Sequence, residues 1–231
     1  MKADYMKQLD FYKPSLDTNN VLIIGTGHTG SYIAFALARM GVRYISVCDP
    51  DTVEQSNLPN QFFTENLPDN ILKVMALKNT LKLIMPECEI KTYPKKAEEL
   101  TQTEINEIYP TVIIIAIDSM AGRKRIYWSL IKNTRCKVID ARSGGEFASI
   151  FYFCSMINHE VEKYEQTLWD DKDVPDLPCT GKTVIDMSLV IAAQVARIYR
   201  KIITPEGFNQ FHLSIDHKIG SMNCLEWLER S

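Results

Sequence analysis

Apolar positions fall along this chain in short blocks separated by polar stretches of helical period. Wholly apolar or alternating runs at residues 21–24, 44–48, 90–93, 111–117, 137–140 and 147–153 predict strands. Alternation puts every second side chain on one face, and an unbroken apolar run marks burial on both. Between these runs, apolar positions three and four apart predict helices over 31–40, 69–84, 103–108 and 121–132. Asp69 is the expected N-cap of the second helix, and Pro86 lies just past its end. Strand and helix taken in turn describe an α/β fold with a doubly wound, largely parallel sheet of Rossmann-like type.

The rhythm weakens after Ser143. A polar stretch over 170–178, rich in Asp and Pro, predicts an exposed and mobile loop, and 170–183 as a whole reads as a crossover or lid. An apolar helix over 184–203 and a last strand over 208–215 complete a C-terminal extension of strands and a buried helix. Residues 1–20 form an N-terminal arm. No internal repeat or linker asks for a boundary, so 1–231 reads as a single domain.

Composition narrows the function. A chain of 231 residues can bury one substantial core. A net charge of -3 gives no basic footprint, so neither nucleic acid nor a membrane surface is an expected partner. The longest apolar stretch, 184–196, contains Asp186 and Gln194 and is shorter than the roughly 20 residues of a bilayer span. Residues 1–20 hold no apolar leader core, and the expectation is a soluble, cytoplasmic protein. Six cysteines without a CxxC pair read as free thiols, and four histidines without HExxH or a local cluster give no protein zinc site.

Candidate chemistry is densest between Val21 and Lys73. The sequence Gly25-Thr-Gly27-His-Thr-Gly30 follows the first strand and opens the first helix. Gly25 suits the tight turn, Gly27 a close backbone approach to phosphate, and Gly30 the packing of helix on strand. Amides at the helix start then face an anion. Asp49 ends the second strand, where a carboxylate can accept from ribose hydroxyls, and Asp51 stands two residues on. Asp118 ends a very apolar strand at the carboxyl edge where open α/β sheets place their ligands. Arg123 is placed to pair with a carboxylate, to line a groove or to lie on a helix surface. Gly181-Lys182-Thr183 mimics the end of a P-loop, but Asp176 stands where that pattern needs glycine.

The glycine turn alone fits any dinucleotide fold. Joined to Asp49-Pro-Asp51 and Ser56-Asn57-Leu-Pro-Asn60-Gln61, it resembles the adenylating ThiF, MoeB and HesA family, relatives of ubiquitin-activating enzymes. The resemblance implies ATP and Mg²⁺ as cofactors. It places Asp49 on the ribose, with Asp51 beside it, and Asn57 and Gln61 toward the triphosphate. Lys73, thirteen residues past Asn60, matches the family's phosphate-contacting lysine. The stretch from Asp118 to Arg123 looks like the element whose aspartate holds the magnesium. Cys179 matches the site of a sulfur-linked intermediate in some members, with an unreactive thiol as the alternative.

Two departures stand out: Asn60 replaces the family's arginine, and no arginine precedes Arg39, leaving Lys2, Lys7 or Lys13 in the arm that would cross a homodimer. The resemblance therefore implies an adenylyltransferase acting on the C-terminal carboxylate of a ubiquitin-like or sulfur-carrier protein, with catalysis at Lys73 and Asp118 and further contributions from Cys179 and Arg123. The stretch around Arg142 and Gly145 would shape the substrate groove. A catalytically weak partner subunit is the first alternative, favoured by Asn60. An NAD-dependent oxidoreductase is the second, permitted by the glycine turn with Asp49.

Overall fold

A computed structural model of the chain describes residues 3–64, 66–169, 184–204 and 208–226. Fourteen elements run β1 (Asn20–Ile24), α1 (His28–Met40), β2 (Tyr44–Cys48), α2 (Lys73–Ile84), β3 (Glu89–Tyr93), α3 (Gln102–Ile108), β4 (Val112–Ile115), α4 (Met120–Ser129), β5 (Lys137–Gly144), β6 (Phe147–Cys154), α5 (Asn158–Glu165), α6 (Ile185–Ile202), β7 (Gln210–Asp216) and β8 (Ser221–Glu226). The strands form one eight-stranded sheet in the order β3-β2-β1-β4-β5-β6-β7-β8. From β3 to β5 every pairing is parallel, and from β5 to β8 every pairing is antiparallel. The expected Rossmann-like architecture with a C-terminal extension is present.

Both sheet faces are covered, which is why the central strands are apolar throughout. Ile23, Ile45, Ile114 and Ile139 pack on one side against α1, α2 and α6. Leu22, Ile113, Ile115 and Val138 pack on the other against α3, α4 and α5. The arm is fastened at Asp17, whose Oδ2 accepts from the Tyr12 hydroxyl (2.5 Å) and from the Tyr199 hydroxyl of α6 (2.6 Å).

Four expectations need correction. Helix α2 begins at Lys73 rather than at Asp69, and Leu72 is its N-cap without a side-chain bond. Asn70 sits in the left-handed region at φ 58°, and Leu72 bridges Thr52, so the backbone before Lys73 is committed to another pairing. Strand β4 stops at Ile115, short of 117, while β5 runs on to Gly144 because β6 supplies it with a partner beyond the end of β4. Strand β7 is not the last, since β8 follows it. Its residues are nearly all exposed, so burial left no apolar pattern to read. Helix α5 also escaped the pattern, because its two buried positions are Glu160 and Tyr164. The 170–183 stretch lies outside the described residues.

Candidate functional site

Strand order reverses between β1 and β4, which opens a crevice at the carboxyl ends of the parallel strands. A cleft of about 250 Å³ fills this place, lined among others by Gly25, Gly27, Asp49, Asp51, Lys73 and Asp118. A hollow of about 470 Å³ beneath the N-terminal arm is larger but borders Asn19, at the opposite end of β1. Chemistry in this fold class belongs to the carboxyl ends.

The glycine turn is built by close contact. Gly25 has φ 89°, and a Cβ there would lie 2.4 Å from the Ala116 carbonyl oxygen. A Cβ on Gly30 would come within 1.9 Å of the Gly25 carbonyl oxygen, so Gly30 sets the helix against the turn. Gly27, by contrast, faces open space, as expected of backbone that a ligand approaches.

Asp49 is nearly buried and already engaged. Its Oδ2 accepts from the Thr26 amide (2.6 Å) and hydroxyl (3.1 Å), and its Oδ1 from the Asp51 amide (2.9 Å). A carboxylate has about four acceptor positions, so one remains for a ligand. The expectation that Asp49 takes both ribose hydroxyls meets this limit.

Lys73 opens α2 with two ties to Asp51: its amide donates to the Asp51 carbonyl (2.8 Å) and its Nζ to Asp51 Oδ2 (2.8 Å). The ammonium is largely covered while the carboxylate is 61% exposed, so the pair points the charge of Lys73 into the cleft from one wall. Asp118 lies exposed beyond β4 on another wall, with no hydrogen-bond or ion-pair partner among the described residues. Next to it Ser119 caps α4, its Oγ accepting from the Gly122 amide at 3.0 Å.

At the far end the cleft is closed by Ala97, Ile117 and Ile126 and by the pair Arg125–Glu98 at 2.8 Å. Cys48 lines the same wall and donates to the Lys95 carbonyl (3.1 Å). Burial, with the charge of Asp49 added, pushes its thiol up to about 12, which makes it an unreactive wall.

A model described as the ThiF family matches residues 10–223. The chain belongs to the ThiF family. Within 110 residues it is 34% identical to the adenylyltransferase and sulfurtransferase UBA4 of Eremothecium gossypii, covering 47% of this chain and 24% of that protein. Within 141 residues it is 33% identical to a probable molybdopterin-synthase adenylyltransferase of Gracilaria tenuistipitata var. liui, covering 61% and 39%. The chain thus spans well under half the length of these curated relatives. Among solved structures, PaaA superposes with TM-score 0.67 at 18% identity over 90% of this chain and 64% of its own. E. coli MccB bound to ATP does so with TM-score 0.65 at 18% over 91% and 64%. These likenesses agree on the fold.

The remaining residues of this ThiF-family chain divide sharply. Gly25, Gly27, Asp49, Asp51, Lys73 and Asp118 meet at one cleft. Asn57 and Gln61 belong to or follow the short helical segment Gln55–Asn60 and do not line it, and the Gln61 Oε1 is buried without a partner among the described residues. Arg123 is neither on the surface nor in the groove. It is 3% exposed, with Nε donating to Asp140 Oδ1 (2.9 Å) and Nη2 to the carbonyls of Ile117 (2.5 Å) and Ala141 (3.0 Å). Arg142 holds the other oxygen of Asp140 at 2.6 Å, and the Tyr164 hydroxyl donates to that oxygen at 3.0 Å. Burial pushes the Asp140 carboxyl up, but the guanidiniums of Arg142 and Arg123 outweigh it and hold it below the usual range. Cys179 lies outside the described residues.

The sequence pattern gives no role to His28. Standing inside the glycine turn, it was hidden because the motif leaves that position free.

Proposed function

We propose that this ThiF-family protein is an ATP- and Mg²⁺-dependent adenylyltransferase that activates the C-terminal carboxylate of a ubiquitin-like or sulfur-carrier protein, as a homodimer of single-domain chains. The observation that carries the reading is the grouping of Lys73, Asp118 and the glycine turn in one cleft at the switch point. The names of the relatives, which are adenylyltransferases, support the same class.

Each residue has a task in this reading. Phosphates lie against the open backbone at Gly27 and the first amides of α1. Asp49 offers its remaining acceptor position to a ribose hydroxyl. Lys73 exchanges Asp51 for phosphate oxygens and offsets charge as pyrophosphate leaves. A lone, unpaired carboxylate such as Asp118 suits magnesium, which takes one or two carboxylates plus substrate phosphates, and no group of three metal-ligating side chains exists among the described residues. The bound metal would supply charge neutralisation at the phosphates. The acyl carboxylate oxygen bonds to the α-phosphorus as the bond to pyrophosphate breaks, giving acyl adenylate; positioning and electrostatics do most of the work.

Thermal melting with ATP and Mg²⁺, and separately with NAD, tests the reading. At a hundredfold excess over its dissociation constant a ligand adds about 2.7 kcal/mol, roughly 5–10 °C for a chain of this size. ATP is expected to give this shift and NAD not. Stabilisation by NAD alone would reject the proposal. ATP binding without carboxylate-dependent pyrophosphate exchange would instead assign the chain to the partner-subunit class, where Asn60 points.

A further inference from the structure

His28 is the first residue of α1, and its Nε2 lies 2.9 Å from the hydroxyl of Ser143 near the end of β5. The strand register gives this contact its meaning. Ile24 of β1 pairs with Ile115 of β4, which pairs with Asp140 of β5, and there β4 ends. His28 stands four residues beyond Ile24 and Ser143 three beyond Asp140, so both overhang the end of the strand between them. At about 3.3 Å per residue, β5 projects roughly 10 Å past β4 at Ser143. The contact therefore passes over the end of β4 and links the glycine turn to the β5–β6 hairpin, beside the cleft, whose lining includes neither residue.

The residue after His28 carries an unsatisfied hydroxyl: Thr29 is 3% exposed, and its hydroxyl has no hydrogen-bond partner among the described residues. The charged groups that act on His28 are Asp118, from the loop after β4, and Lys73, from α2. Burial pushes the imidazole pKa down, Asp118 opposes and Lys73 pushes the same way as burial, so the neutral ring is favoured. A neutral ring carries one N–H, and Ser143 carries one O–H. On the hairpin side, Gly145 has φ 59°, and a Cβ there would meet nothing within 4 Å, so the turn itself is open.

We propose that His28 and Ser143 are the receptor for the carboxylate of the acyl substrate, which opens their mutual bond and accepts one hydrogen bond from the imidazole N–H and one from the hydroxyl. A neutral pair suits this task. It orients a carboxylate without neutralising the charge that makes the oxygen nucleophilic, whereas an ammonium or guanidinium would hold it more tightly and blunt it. The inference rests on the adenylyltransferase reading for the identity of its ligand, and it adds the two residues that aim the carboxylate across the crevice toward the phosphates.

The test titrates the full chain, ¹⁵N-labelled at histidine, with acetyl-Gly-Gly and with the same compound as its C-terminal amide, following the His28 ring resonances with and without ATP and Mg²⁺. The acid is expected to shift them saturably and the amide not. Ser143→Ala should weaken the acid by about tenfold or more, the scale of one hydrogen bond to a charged acceptor, while Ser143→Thr stays within about twofold. Equal response to acid and amide, no saturable response in the wild type, or unchanged affinity in Ser143→Ala would overturn the proposal. Melting of each variant with ATP keeps the two readings apart. An ATP shift without the carboxylate response removes this inference alone, and a carboxylate response without an ATP shift removes the nucleotide reading alone.

Discussion

The parallel half of the sheet and its border with the antiparallel half both carry charged side chains, but they use them in opposite ways. At the ends of β1, β2 and β4, the carboxylates of Asp51 and Asp118 face solvent across a cleft, and Lys73 points into it. Under α4 and α5, Arg123, Arg142 and Tyr164 close around Asp140, which is fully buried. The exposed carboxylates of the first kind have given up little hydration and can change partners at small cost. Those of the second have lost their water and hold one another in a fixed arrangement. Residue type does not separate the two classes; access does. The difference explains why Arg123, five positions after Asp118 on the chain, is held by Asp140 rather than open to solvent.

Paired substitutions sharpen this contrast. Asp140→Ala leaves two guanidiniums without their carboxylate and is expected to cost about 3–5 kcal/mol in urea unfolding. Asp118→Ala should change stability by less than about 0.5 kcal/mol, as an exposed and unpartnered side chain does, yet abolish the metal-dependent part of the ATP melting shift. Similar losses of stability in both variants would erase the distinction between the halves.

Lys73→Met comes next in size. Its partner Asp51 is mostly exposed, so the broken pair is worth at most about 1 kcal/mol of folding free energy. Pyrophosphate exchange should fall about a hundredfold if the ammonium meets the leaving phosphates. Unaltered exchange would show that the cleft works without this cation.

The smallest effect is a slope with pH. Burial is the main cause lowering the pKa of both His28 and His212, one in each half, with Lys73 adding at the first and Arg142 at the second. Their neutral forms are favoured by folding, so the stability they contribute is complete above the free imidazole pKa of about 6.5 and is lost as pH falls below it. Chemical denaturation between about pH 7 and 5.5 should show this decline. Replacing both with Gln should flatten it, and an unchanged slope would mean that other groups titrate there.

The parallel half was largely legible in the sequence, because burial on both faces forces apolar runs and ligand binding at the switch point forces glycines and aspartates into fixed order. Strand β2 and the approach of Asp49 and Asp118 to one cleft follow from that logic, while Lys73 follows from the family resemblance. The antiparallel half was less so. Strand β8 is exposed on both faces, and α5 buries a glutamate whose Oε2 accepts from the Cys154 amide at 2.7 Å. Neither leaves the apolar spacing that pattern reading depends on. Arg123 takes the first of its three expected places, beside a carboxylate, but its burial is not legible, because a charge paired inside the fold looks the same in a sequence as one on the surface.

The sealed ion cluster has a consequence for how such sequences drift. Removing Asp140, Arg123 or Arg142 alone strands the others, whereas replacing the group together by apolar residues of similar volume can be neutral or favourable. Their fates are coupled, because residues sharing one network do not contribute additively. Across related chains the three would be retained together or lost together. That is the signature commonly taken for a catalytic set, and the energetics of dry charge would suffice to produce it.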